Sequence, residues 1–366
     1  MNDKIVISGY YGFSNAGDEA MLSSLIASLK KTSPQVEITV ISGNPARTRR
    51  NHGVYAVHRF NPYAVIRAIK HCTMVISGGG SLLQNVTSSR SLYYYLAIME
   101  IALSFHKPLM LYGQGIGPIN GEAARRAVAS TVSRATSITV RDEESKHTLT
   151  ELGVNAEDIE VTADAVLSVP VPDTRAGERI LASYGVQKGE KIIALAFRDW
   201  EGDKDWKRSL AEGADILADK YGCRVVFIPM QYAADVYTAE SIAKIMHSSP
   251  VVLTDEYRTE EFMSLIACAN LVIANRLHAL VFAAVTGVPV TAGSYDPKID
   301  GFMAHIGAKV CCTMESLTTE ILTQAAGCML EQGGFSEDVC RRIQELRTLS
   351  DKNNSLVSHI LRTCRV

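Results

Sequence analysis

The run Leu271-Val272-Ile273-Ala274 leads straight into Asn275-Arg276-Leu277-His278, and an apolar stretch then continues to Thr286. Four apolar residues read as a buried strand and the following stretch as a helix, with Asn275 suited to cap it and Gly287 and Pro289 to stop it. Arg276 and His278 then stand in the first helical turn. Cations there oppose the helix dipole, which favours negative charge at that end. A local rule broken in this way commonly marks a functional site. An anion at the helix start would remove the conflict, because free N–H groups, a guanidinium and an imidazole would converge on it. The competing reading is an Arg paired with some carboxylate and a His on polar surface.

Other cations stand at comparable places. Arg141 opens Arg141-Asp142-Glu143-Glu144-Ser145 after one apolar run, Arg198 follows Phe197 after another, and Lys298 ends Ser294-Tyr295-Asp296-Pro297-Lys298. Pro229-Met230-Gln231, with Asp235, follows a further run. For Arg141 and Arg198 an ion pair with the adjacent Asp142 or Asp199 competes with ligand binding. Together, three Arg and one Lys at strand ends read as a pocket for a small polyanion such as a phosphorylated carboxylate.

Three Gly-rich loops follow strands in the first half: Gly9-Tyr10-Tyr11-Gly12 with Asn15-Ala16-Gly17-Asp18-Glu19-Ala20, then Gly78-Gly79-Gly80-Ser81, then Gly113-Gln114-Gly115-Ile116-Gly117-Pro118. Such glycines let a backbone approach a ligand closely. Neither dinucleotide fingerprint is met, because Leu83 and Pro118 stand where the last glycine belongs, and no Walker-type loop is present.

These loops need a scaffold that presents strand ends. Short apolar runs alternate with amphipathic segments along most of the chain, which argues for an α/β protein with doubly wound parallel sheets. The strands are expected near Lys4–Ser8, Val36–Ser42, Met74–Ser77, Leu109–Gly113, Ser137–Arg141 and Glu160–Ala163. After a Pro-containing stretch they resume at Ile192–Phe197, Arg224–Ile228, Val251–Leu253, Leu271–Ala274 and Val288–Ala292. The expected organisation is a domain over 1–168, a linker over 169–180, a second domain over 181–335 and a helical segment over 336–366, the two domains facing a cleft. Ligands of such sheets bind at the carboxyl ends of strands.

The 366 residues carry 37 basic and 39 acidic side chains and are 47% hydrophobic, an ordinary globular balance that leaves no field for gripping nucleic acid. The eight cysteines form no C-x-x-C pair and no zinc spacing, so no metal site is expected and the thiols are read as reduced. No apolar stretch approaches the ~20 residues of a membrane span. A cytoplasmic location is expected. The basic segment from Arg341, with Arg342, Arg347, Lys352, Arg362 and Arg365, is a candidate for contact with anionic lipid at the inner face of the membrane.

In its ordered set of motifs the sequence resembles the polysaccharide pyruvyl transferases, most closely the CsaB type. The set runs through the Asn15–Ala20 segment, Gly78-Gly79-Gly80-Ser81-Leu82, Gly113–Pro118, Arg141–Ser145, Arg276-Leu277-His278 and Tyr295–Lys298. The resemblance implies two Rossmann-like domains in a glycosyltransferase-B-like fold. It implies transfer of the enolpyruvyl unit of phosphoenolpyruvate onto a β-N-acetylmannosamine residue of a lipid-linked precursor, as a 4,6-ketal with release of phosphate. The product would anchor S-layer proteins.

On this reading phosphoenolpyruvate is a substrate, no cofactor is needed, and Arg141, Arg276, Arg198 and Lys298 bind it. His278 is the general acid that protonates the methylene carbon. Asp18, Glu19 and Gln114 are assigned to the acceptor. The Gly-rich loops, through Gly9, Gly12, Gly17, Gly78, Gly79, Gly80, Gly115 and Gly117, line the site. A nucleotide-sugar glycosyltransferase of the same architecture is the main alternative, and a non-catalytic sugar-binding module the other.

Overall fold

A computed structural model describes residues 3–86, 88–202 and 205–363. Cys364 and Arg365 lie outside the described residues. The chain divides into two units, each built on one parallel sheet. The first takes in the chain up to Phe13, Asp18–Val169 and the chain from Leu346 onward; the second takes in Ser14–Gly17 and Pro170–Glu345.

In the first unit the strands are β1 (Lys4–Ser8), β2 (Glu37–Ser42), β3 (Tyr55–His58), β4 (Met74–Ser77), β5 (Gly80–Leu83), β6 (Leu109–Ile116), β7 (Ser137–Val140) and β8 (Ile159–Val161). They lie in the order β3-β2-β1-β4-β6-β7-β8, with β5 beside β6. The order reverses between β1 and β4, where Ser8 pairs with Ser77, so Gly9 and Gly78 leave the sheet side by side. Strands β1, β4 and β6 are near-continuous apolar runs buried on both faces, as a helix-covered parallel sheet requires.

Two helices absent from the sequence reading, Pro45–His52 and Pro62–Lys70, start with proline at the first helical position and an Asn cap, Asn44 and Asn61, whose side chain accepts a backbone N–H. The third Gly-rich segment is largely strand: Gly113, Gln114 and Gly115 continue β6, whose Gln114 pairs with Gly80 and Val140. Gly80 likewise opens β5. Ladder pairing on both sides claims backbone that the glycine content marked as loop.

The second unit holds β9 (Lys191–Ala196), β10 (Cys223–Phe227), β11 (Val251–Val252), β12 (Leu271–Ala274), β13 (Val290–Ser294) and β14 (Cys312–Thr313), in the order β11-β10-β9-β12-β13-β14. Its order reverses between β9 and β12, where Ala196 pairs with Ala274. The helix Arg175–Ser183 begins inside the stretch read as linker. Its Gly177 N–H donates to Ser264 Oγ at 2.7 Å, closing that helix onto Thr259–Ala267.

One helix, Glu337–Thr363, begins in the second unit and ends in the first. There Ser350 donates to Asp164 O at 2.9 Å, and Asn353 accepts from Thr139 and Thr162 at 2.5 and 3.1 Å. No helix among the described residues is long and apolar enough to cross a membrane.

Candidate active site

The second unit's switch point, between β9 and β12, is where a doubly wound sheet opens a crevice for ligand. Asn275 follows β12 and is fully buried, and its side chain is not a helix cap. Oδ1 accepts the Arg198 N–H at 2.8 Å and Nδ2 donates to Arg198 O at 3.2 Å, tying the two strand ends together. The cap position passes to Arg276, and the helix runs Leu277–Thr286. That helix start has no side-chain cap and no acidic residue in its first turn, and His278 is its second residue. The N–H groups and dipole there suit an anion.

Arg276 takes the course the competing reading described. Its Nε donates to Asp235 Oδ2 at 2.8 Å and its Nη2 to Asp235 Oδ1, while Nη2 also reaches Gln231 Oε1 at 3.2 Å. Asp235, 1% exposed, further accepts the Met230 and Gln231 N–H groups at 3.1 and 2.9 Å. The guanidinium is thus fixed through one edge. Arg198 is held differently. Asp199 pairs with Lys207 at 3.0 Å, and Arg198 lies over the Tyr295 ring with Nη1 3.3 Å from its hydroxyl. Lys298 follows β13, its Nζ 3.6 Å from Asp296, the residue that caps Pro297–His305.

His278 sits against a segment from the far end of the sequence. Asn15 bridges Gln231, Ala16 N–H donates to Met230 O at 2.8 Å, and Tyr232 N–H donates to Ser14 O at 3.3 Å. This threads Gly17 beneath the imidazole so closely that any Cβ there would overlap Nδ1 and Cγ. The opposite ring nitrogen, Nε2, is shielded from solvent. Gly17, read from sequence as part of a loop for the first domain, is a wall of the His278 site. From sequence Tyr295 is read only as part of the Ser294–Lys298 segment, with no role of its own, and the buried tie of Asn275 is not read at all.

The remaining assigned residues belong to the first unit. Glu19 is engaged: Oε1 accepts the Gly12 N–H at 2.7 Å, and Oε2 meets His52 Nε2 at 2.7 Å. Asp18 lies beside Gly80, and its charge adds to burial in holding Tyr10 and Tyr11 above the ordinary phenol value. Gln114 is buried, and its Nε2 donates to Ser77 Oγ at 2.6 Å and Gly78 O at 2.9 Å, bracing the loop rather than facing solvent.

Gly9 and Gly78 make room for the fully buried Tyr11, whose ring and hydroxyl a Cβ at either position would overlap. Gly79 lies against Met21, and Gly117 N–H donates to Leu83 O at 2.8 Å. Gly115 underlies the Arg141 guanidinium, whose Nε donates to Asp142 Oδ2 at 3.1 Å. Burial pushes the Asp142 carboxyl up, but Arg141 and Ser145 together hold it below its ordinary value.

Residues 15–297 match the sequence profile of the family described as "Polysaccharide pyruvyl transferase". The Amylovoran biosynthesis protein AmsJ of Erwinia amylovora is 22% identical over 408 residues, covering 95% of this chain and 97% of that protein. Among solved structures, the S. aureus MnaA-UDP complex superposes with a TM-score of 0.68 at 13% identity, covering 98% of this chain and 96% of that one. UDP-GlcNAc 2-epimerase from Neisseria meningitidis gives 0.66 at 12%, covering 99% and 100%. ADP-heptose LPS heptosyltransferase II of E. coli gives 0.53 at 16%, covering 90% and 99%. At these identities the structural likeness establishes the fold, which is glycosyltransferase-B-like.

Proposed function

The chain belongs to the polysaccharide pyruvyl transferase family, and from that premise we propose that it moves the enolpyruvyl group of phosphoenolpyruvate onto a β-N-acetylmannosamine residue of a lipid-linked cell-wall polysaccharide precursor. The product is a 4,6-ketal, as in the CsaB type, and serves S-layer anchoring. The observation that carries the donor assignment is the uncapped, acid-free helix start at Leu277, with His278 in its first turn and Arg198 tied to its approach through Asn275.

The phosphate of phosphoenolpyruvate takes the N–H groups of that helix start. Arg198 and Lys298 serve the carboxylate. Arg276, already neutralised along one edge by Asp235, contributes less charge than its type suggests and more rigidity. Protonated His278 donates to the methylene carbon, using the C=C electron pair and leaving a cationic carbon that carries carboxylate and phosphate. The first sugar hydroxyl adds to that carbon, and its proton returns to the imidazole. The C–O bond to phosphate then breaks, the second hydroxyl adds, and its proton leaves with phosphate. One hydroxyl proton thus ends in the new methyl group and the other on phosphate.

The test is phosphate release from phosphoenolpyruvate with and without a synthetic β-N-acetylmannosaminyl acceptor, wild type beside His278→Gln. Acceptor-dependent release, matched by a pyruvylated product and reduced roughly 10²–10⁴-fold in the variant, is expected. Absence of release with every amino-sugar acceptor, together with sugar incorporation from a nucleotide donor, would overturn the reading in favour of a glycosyltransferase.

A further inference from the structure

Between Glu37 and Glu100 the chain contains no Asp or Glu, yet seven Arg and Lys fall there, from Arg47 to Arg90, in a protein whose net charge is −2. These seven cations lie on the helices Pro45–His52 and Pro62–Lys70, on the link between β3 and the second of these helices, and at the start of the helix Ser89–Ser104. The helix Pro62–Lys70 buries Val65 and Ile69 and turns Tyr63, Ile66, Arg67 and Lys70 outward, a spacing of 3, 1 and 3 that makes one face. The helix Ser89–Ser104 exposes Arg90 and Tyr93 in the same way.

Arg59, in the link before the helix Pro62–Lys70, lies over the rings of Phe60 beside it and of Tyr94 in the helix Ser89–Ser104, 4.8 and 4.3 Å from their centroids. Phe60 and Tyr63 remain 72% and 74% exposed. No carboxylate among the described residues pairs with Arg50, Arg67, Lys70 or Arg90. A face that holds large aromatic side chains in water, among cations with no local counter-charge, lacks the features of ordinary solvated surface. The C-terminal helix differs. There Arg341 and Arg342 pair with Asp338, Arg341 also pairs with Glu345, and Lys352 lies 3.9 Å from Glu160, so these three cations of the basic segment have carboxylate partners.

We propose that the face carrying Phe60, Tyr63, Ile66, Arg67, Lys70 and Arg90 docks the protein on the anionic surface of a lipid bilayer. Tyr63, with an apolar body and a polar tip, settles at the headgroup level, Phe60 and Ile66 bury apolar surface beside it, and Arg and Lys meet the lipid phosphates. Both features are needed, and the exposed apolar side chains favour a bilayer over a purely electrostatic partner such as nucleic acid. The face starts where β3 ends, with Phe60 and Tyr63 near the sheet edge that Gly9 and Gly78 leave, and runs along the helix Pro62–Lys70 toward the opposite edge, where Thr73 meets Lys4. The relevance to a lipid-carried acceptor rests on the proposed function; the docking itself does not.

The full chain is sedimented with vesicles of pure phosphatidylcholine and of equal phosphatidylcholine and phosphatidylglycerol. Wild type should bind the anionic vesicles and release as salt rises from 0.1 to 0.5 M. Each cation near such a surface is worth about a fivefold change in binding, so Arg67→Gln/Lys70→Gln/Arg90→Gln should weaken it about a hundredfold. Tyr63→Ser/Ile66→Ser should weaken it with little change in salt dependence. Both variants should keep the wild-type melting temperature and full turnover of a soluble acceptor, and Arg341→Gln/Arg342→Gln should bind vesicles as wild type does.

Failure of wild type to bind anionic vesicles overturns the proposal, as does binding that survives the triple substitution. Tighter binding to duplex DNA than to vesicles, lost in the same triple variant, would reassign the face to nucleic acid. Because vesicle binding needs no phosphoenolpyruvate, loss of the pyruvyl-transfer reading would leave this result standing, and the reverse.

Discussion

Arg276 and Arg198 leave the same sheet at neighbouring strand ends, β12 and β9, and are held in opposite ways. Arg276 is locked through Nε and Nη2 onto Asp235, a carboxylate that also caps its own loop through two backbone N–H groups. Replacing one partner of such a buried pair strands the other, so its first role is to fix the loop beside His278. Arg198 rests on Tyr295, while its neighbour Asp199 pairs with Lys207 instead. His278 is positioned by a residue with no side chain at all. Gly17→Ala would drive a methyl group into the imidazole, with an expected cost of about 1–3 kcal/mol in stability from overpacking. Displacing the ring should also lower kcat about 10²-fold. In a His278→Ala background the same substitution should cost little in stability, because the overlap is gone. Urea unfolding of the two singles and the double checks this, and an undiminished cost in the double would place the strain elsewhere.

The helix Glu143–Glu151 shows how a charged strand end is converted into a cap. Asp142 accepts the Ser145 N–H at 2.8 Å and pairs with Arg141. Its folded-state value lies below the ordinary 3.8, so its stabilising contribution is complete above that value and fades as pH falls through the folded one. Asp142→Asn should therefore be less stable than wild type near neutrality, with the two unfolding curves converging in acid below 3.8; a gap constant with pH would refute the linkage.

Much at this scale was legible. Apolar runs such as Ile5–Ile7 and Leu271–Ala274 mark strands because both faces of a parallel sheet are buried. The strand Tyr55–His58 was not, since it is an edge strand of four residues with exposed ends and a weak pattern. Gly80–Leu83 was hidden by its glycine. At the site, the strand-end cations and the His278 helix turn could be read locally. The partners could not: Asp235 is 41 residues from Arg276, and Gly17 lies at the other end of the chain from His278. Asn275 looked like a cap because its type is ambiguous, and only the register of β9 beside β12 turns it toward Arg198.

For the molecule as a whole, the first unit is assembled from early and late chain. Its core includes Val357, Ile360 and Leu361, all buried, and its polar interior is closed by Asn353 between Thr139 and Thr162. Asn353→Ala should lower stability by about 1–3 kcal/mol, since buried hydroxyls lose a partner. Chemical denaturation should register the loss while the KM for the proposed donor, phosphoenolpyruvate, stays unchanged; a raised KM with unaltered stability would mean the residue serves the reaction instead.

The helix Glu337–Thr363 also fixes an order of events during synthesis. The strands β1 to β8 have all been synthesised by Val161, but the helix that completes their packing follows only after the whole second unit. At ~5–20 residues per second, the roughly 180 intervening residues take about 10–35 s. For that time the half made first must wait with apolar surface uncovered while the half made second finishes. A nascent chain of this protein is thus a client for holding chaperones by virtue of its chain path, and a stalled or truncated message would yield a first unit that never closes.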